Sequence, residues 1–125
     1  MRSDAVINFT DIFATLADHL DVNLNTQYPS VKDSHSFYQT IKNPQLAHHR
    51  PPMINGTYSI RLGELKLSSK SRQKGTQLPK DLSSYRLFNL TKDISETFDI
   101  LPQNKKKATS LHAKLGEFHN ELQPK

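Results

Sequence analysis

The sequence predicts an α+β fold: a small antiparallel sheet of three to four strands packed by a C-terminal amphipathic helix, with one or two helices before it. Three observations carry that expectation. Residues 108–122 place apolar side chains at spacings of three and four, a narrow helical seam on a charged cylinder. Residues 57–67 alternate with period two on either side of a Gly-Glu pair, the grammar of a hairpin. The whole chain has 125 residues, enough for one modest core.

Taken in order, residues 10–20 set Ile12, Phe13, Leu16, Ala17 and Leu20 on one stripe at helical period. Thr10 is the expected cap, and Asp11 is expected near the positive end of the helix dipole. A polar, turn-rich connection follows. A second, short helix is expected around Phe37 and Ile41, four residues apart, with Pro44 closing it. These elements define a helical segment over residues 1–46, and residues 47–125 form the sheet subdomain with its terminal helix.

In that subdomain Tyr58, Ile60 and Leu62 alternate with Thr57, Ser59 and Arg61, and Leu65 and Leu67 resume after Gly63-Glu64. Glycine takes positive φ without a Cβ clash, so Gly63 marks the reversal. Residues 69–84 read as a loop. Residues 85–90 read as a further strand with apolar groups on both faces, Tyr85 and Leu87 on one and Phe88 and Leu90 on the other. The last helix carries Ala108, Leu111, Leu115, Phe118 and Leu122, with Pro102 suited to its first turn.

Composition narrows the chemistry. With 34% hydrophobic residues and no tryptophan, the core is expected to be thin and stability marginal. No cysteine is present, which removes disulfides, thiolate metal sites and cysteine nucleophiles. No apolar run approaches the roughly 20 residues that cross a bilayer, and the first residues lack a signal peptide's apolar segment, so no membrane partner is expected and the sequence gives no address. The net charge is +5, with cations gathered in residues 66–80 and in Lys105, Lys106 and Lys107. A free-standing basic interaction module, holding nucleic acid or a sulfated polysaccharide, is therefore an alternative reading. Nucleic acid is the less expected ligand, because residues 66–80 hold no aromatic side chain for base stacking.

Six histidines invite a metal or a general base. His112 and His119 share a helix face but lie about 10 Å apart at 1.5 Å per residue, too far to chelate one ion, and read as surface residues beside the seam. His48 and His49 stand in a proline-rich loop and are the candidate functional pair. Asp93, Glu96 and Asp99 follow a strand and precede a helix, where carboxylates ordinarily satisfy backbone donors rather than a metal. No glycine-rich phosphate cradle, G-x-S-x-G or H-E-x-x-H spacing occurs.

The stretch "YRLFNLTKDISETFDIL" resembles the closing signature of the sulfatase family, E-L-Y-D-L-x-x-D-P-x-E-x-x-N-L. Three further blocks agree in order: "FTDIFATLADHLDV" looks like the family's D-L-x-P-T-L-x-D-L-A-G helix, "DSHSFYQTIKN" like D-G-x-S-L-x-P-L-L, and "TYSIRLGELKLS" like I-R-x-G-x-W-K-L. Asn89 replaces aspartate, Ile94-Ser95 replaces Pro-Gly, Asp99 replaces asparagine and Leu65 replaces tryptophan. The resemblance implies a C-terminal piece of a sulfuric ester hydrolase of the alkaline phosphatase superfamily, a family often secreted or periplasmic. It implies that Asp93 and Glu96 tie backbone amides in the strand-to-helix turn, and that His48 and His49 border the substrate. It also implies that the formylglycine made within C/S-x-P-x-R and the calcium held by Asp and Asn both belong to polypeptide upstream, so that no catalytic, cofactor or metal site is expected in this chain. The partner so implied is that N-terminal catalytic domain or, failing it, a second copy joined through the N-terminal helix.

Overall fold

The computed structural model describes residues 3–24, 31–46, 48–54, 58–71 and 78–121. The chain divides into two bodies, Met1–Arg50 and Pro51–Lys125.

The second body is an antiparallel meander of β1 (Met53–Ile54), β2 (Ser59–Leu62), β3 (Leu65–Ser69) and β4 (Tyr85–Asn89), in the spatial order of the chain. Leu62 pairs with Leu65 across the two-residue reversal, and Gly63 there has φ +56°. A Cβ added at Gly63 would meet open space, so only the backbone resists a side chain. Gly63→Ala is therefore expected to lower stability by roughly 1–2 kcal/mol, the left-handed penalty alone, read as a lower urea midpoint at unchanged slope.

Register builds the core. Ile60 stands opposite Leu67, and Leu67 opposite Leu87, so three fully buried side chains form a row across three strands. Helix α3 (Lys105–Glu121) lays Ala108, Leu111 and Leu115 into the same cluster, with Phe118 partly buried at its edge. The seam read from the sequence is this contact; its last member, Leu122, lies outside the described residues. Tyr85 joins the cluster, and its hydroxyl donates to the Pro79 carbonyl (3.1 Å). Burial pushes the Tyr85 phenol above its ordinary pKa. On the other face of β4, Phe88 and Leu90 are buried too, whereas Arg86 is exposed.

Two local expectations are corrected. Pro102 sits in a separate 3-10 turn, Leu101–Gln103, and α3 starts after it, with the Asn104 carbonyl accepting the Ala108 N–H (3.0 Å). His112 is not a plain surface residue: its Nε2 lies 3.0 Å from the Pro79 carbonyl oxygen and its ring meets Tyr85 edge-on at 4.9 Å.

The first body is organised differently. It contains α1 (Asp11–His19) and α2 (Tyr38–Lys42), and its buried apolar residues, among those described, are only Ala14 and Ala17. Thr10 does not cap α1 through its hydroxyl, which donates to the Asp33 carbonyl instead (3.3 Å). The free first-turn N–H of Ala14 is met by Ser34 Oγ (2.9 Å), and the same hydroxyl donates to the Thr10 carbonyl (2.6 Å). A side chain twenty residues away performs the cap because the segment 33–37 runs along the helix and the Thr10 hydroxyl is engaged by Asp33.

Candidate functional site

Asp11 is the polar centre of the first body. Its position on the helix is opposite the apolar stripe, so the stripe's large side chains and this carboxylate cannot share an environment. The carboxylate is fully buried and takes four hydrogen bonds: Asn8 N–H (2.7 Å), His35 N–H (3.0 Å), Arg50 Nε (2.7 Å) and Arg50 Nη2 (2.9 Å). Arg50 is almost as buried, and it also donates to the Asp33 carbonyl (3.3 Å). Burial by itself raises the acid's pKa, but the Arg50 bonds and the two backbone N–H groups outweigh it and hold Asp11 below the usual carboxylate range. Thr15 extends the network, donating to the Asp11 carbonyl (2.7 Å) and accepting from Phe37 N–H (3.1 Å). Asp11 thus joins three stretches far apart in sequence instead of decorating a helix end.

The candidate pair His48 and His49 lines an open polar hollow of about 700 Å³ in the same body, together with Asp18, Asn23, Ser34 and His35. His49 is exposed, while His48 is half-buried with its Nε2 sealed from solvent and without a hydrogen-bond partner among the described residues.

In the second body the stretch after β4 is a set of side-chain-to-backbone ties. Asn89 Oδ1 accepts from the N–H groups of Thr91 (3.1 Å) and Lys92 (3.3 Å), and its amide donates to Glu64 (3.0 Å). Asp93 accepts from Phe98 N–H (2.8 Å) and the Thr97 hydroxyl (2.8 Å). The Phe98 N–H is the chief cause that holds its carboxyl below the ordinary value. Glu96 differs from the role implied for it: its carboxylate meets Lys66 Nζ at 2.6 Å rather than a backbone amide, and its own φ is +56°. Asp99, grouped in the sequence with the carboxylates that satisfy backbone donors, does so: it bridges β4 to the following turn by accepting from Leu87 N–H and Leu101 N–H, each at 3.0 Å. Such ties aim the chain from β4 into α3.

These assignments bear on calcium. The carboxylates of Asp11, Glu64, Asp93, Glu96 and Asp99 are each committed to protein donors, and among the described residues no three acidic or histidine side chains gather as a metal site. Of the basic segment, Lys66 is paired with Glu96 and Lys70 Nζ donates to the Ser83 carbonyl (2.6 Å); residues 72–77 lie outside the described residues.

No family model and no curated protein matches the chain. Solved structures do. Over 94% of its length the chain matches a Bacteroides thetaiotaomicron sulfatase, BT33336S-sulf, studied for the metabolism of multiple glycosaminoglycans, with a TM-score of 0.69 at 20% identity. Over 90% it matches Ps i-CgsB, with a TM-score of 0.65 at 21% identity, and the same protein in complex with k-i-k-neocarrahexaose, with a TM-score of 0.59. The match takes up only 26% and 24% of those chains. At such identities the likeness establishes fold: this chain has the architecture of a portion, about a quarter, of much longer sulfatase chains.

Proposed function

We propose that the chain is the C-terminal part of a sulfatase-like sulfuric ester hydrolase, a structural subdomain that completes the larger fold and holds no catalytic centre of its own. The observation that carries this reading is the match over 94% of the chain to 26% of a sulfatase. The four sequence blocks in family order support it independently, as does the lack of any C/S-x-P-x-R from which a formylglycine could be made. Sulfate-ester cleavage needs an activated nucleophile to attack sulfur and fixed cations against the negative charge on the sulfuryl oxygens and the departing ester oxygen. In this reading both belong to the remaining three-quarters of the fold, where calcium and the formylglycine would reside. His48 and His49, which line one open hollow, then stand at the rim of a substrate cleft.

The purified 125-residue chain is expected to leave an aryl sulfate unhydrolysed, with or without calcium, and mass spectrometry is expected to find no formylglycine in it. Turnover above the buffer rate would refute the structural role. The DNA 5′ to the Met1 codon is expected to encode a C/S-x-P-x-R segment, in frame or behind a frameshift. A basic interaction module would behave otherwise, holding heparin or duplex DNA with an affinity that falls steeply with salt.

A further inference from the structure

The turn between β4 and α3 borders another hollow, of about 470 Å³, that belongs wholly to the sheet body. Its floor is apolar, since Leu65 and Ile100 lie partly buried against the core cluster. The ring of Phe98, 73% exposed, forms a wall. Lys92 and Lys107 line it from the two ends of the turn, one just after β4 and the other in the first turn of α3. Both are exposed, and neither ammonium group has a partner among the described residues.

The other polar groups of the hollow are mostly engaged. Glu64 accepts from the Asn89 amide (3.0 Å), and Asp93 accepts from Phe98 N–H and the Thr97 hydroxyl (2.8 Å each), so both carboxylates are held toward protein donors while the ammonium groups are free to turn toward a ligand. Asn104 donates its amide to the Ile100 carbonyl (3.0 Å), which leaves its Oδ1 as an acceptor with no donor among the described residues.

We propose that this hollow binds a saccharide unit carrying an anionic group, a sulfate or a carboxylate. Each feature selects part of that class. An aromatic ring standing in a cleft packs well against the C–H face of a pyranose, whose hydroxyls stay in water at its edge. Asn104 Oδ1 is matched by a donor, which a sugar hydroxyl supplies and a hydrocarbon acid does not. Lys92 and Lys107 are matched by an anion, which a neutral sugar does not offer. The groups are also pre-positioned, because Asp93 and Asp99 already fix the turn that carries them, and a site ordered before binding loses less entropy on binding. The inference goes beyond the sulfatase reading and does not depend on it, since every residue it uses lies in Pro51–Lys125.

Heteronuclear NMR of the full chain tests the site, with a galactose monosulfate and galacturonate as probes and galactose and sodium sulfate as controls at matched ionic strength. Saturable shifts of the Leu65, Phe98, Asn104 and Lys107 amides are expected with either anionic sugar, and binding roughly tenfold weaker with each control. Phe98→Ala and Lys107→Gln are each expected to weaken binding roughly tenfold. Their side chains are exposed, so circular dichroism is expected to stay unchanged, and Lys92→Gln is a further variant in case Lys107→Gln disturbs the start of α3. Lys106→Gln removes the same charge from an exposed neighbour that does not line the hollow, and is expected to change nothing. No shift at the highest sugar concentration, equal affinity for sodium sulfate, or an equal loss from Lys106→Gln overturns the site. An upstream sequence unrelated to sulfatases would overturn the family reading and leave this result as it is.

Discussion

Asp11→Ala is expected to unfold the body Met1–Arg50 while the sheet body keeps its protection. The substitution leaves the Arg50 guanidinium buried with its two carboxylate bonds gone, and it strands the N–H groups of Asn8 and His35. Removing one member of a buried pair in this way costs about 3–5 kcal/mol, since the surviving charge remains out of water. This body has little with which to absorb such a loss, because its buried apolar side chains among the described residues are two alanines. Hydrogen exchange is the measurement: amides of α1 are expected to lose protection, and those of β2 and β3 to keep it. Equal loss in both bodies, or loss in neither, would refute the role given to the pair. The pH dependence has the same origin. Asp11 has a depressed pKa in the folded state, so its contribution is complete above the unfolded value of 3.8 and disappears as pH falls through the folded value. The first body is therefore expected to lose protection in acid near or below that value, while the sheet body keeps it.

What the sequence revealed and what it hid follow from how far each interaction reaches. The seam of α3 and the alternation of β2 and β3 were legible because side-chain direction repeats with the period of the backbone, and a short window samples several repeats. Gly63 was legible for a similar reason, since a two-residue reversal advertises its backbone requirement locally. Asp11 was not. In sequence it is a first-turn acid, and its partner Arg50 lies 39 residues away, so no window contains both. Its place opposite the apolar stripe pointed, if anywhere, to solvent, since an apolar stripe ordinarily faces the core. That α1 turns its large side chains outward is equally invisible, because periodicity finds a stripe but not what the stripe faces. The ties by Asn89 passed as a mere departure from a family pattern, whereas those by Asp93 and Asp99 were legible, because short polar side chains after a strand are natural acceptors for backbone N–H groups. At the candidate site, the adjacency of His48 and His49 was plain from the sequence; the sealing of one nitrogen of His48 depends on the packing of segments remote in the chain.

Leu67→Ala is expected to be the most damaging single truncation in the sheet body. Leu67 is fully buried at the centre of the row Ile60, Leu67, Leu87, with β2 on one side, β4 on the other and Leu111 and Leu115 of α3 in the same cluster. Cutting a buried leucine to alanine costs about 2–5 kcal/mol, the lost transfer energy plus that of the cavity left behind. The upper part of that range applies here, because β3 is hydrogen-bonded to strands on both edges and cannot move inward to fill the void. Leu62 supplies the contrast. It lies on β2 beside the reversal and is chemically identical, but it is 38% exposed, so its truncation leaves no sealed cavity and is expected to cost less than about 1 kcal/mol. Urea unfolding followed by far-UV circular dichroism compares the two. A body this small has a total stability near the low end of the usual range, so Leu67→Ala is expected to lower the midpoint strongly or to leave the sheet unfolded without denaturant, whereas Leu62→Ala stays close to the parent. If the two truncations cost the same, the row from Ile60 to Leu87 is not where this body draws its stability, and the packing of α3 on the sheet has to be held by other contacts.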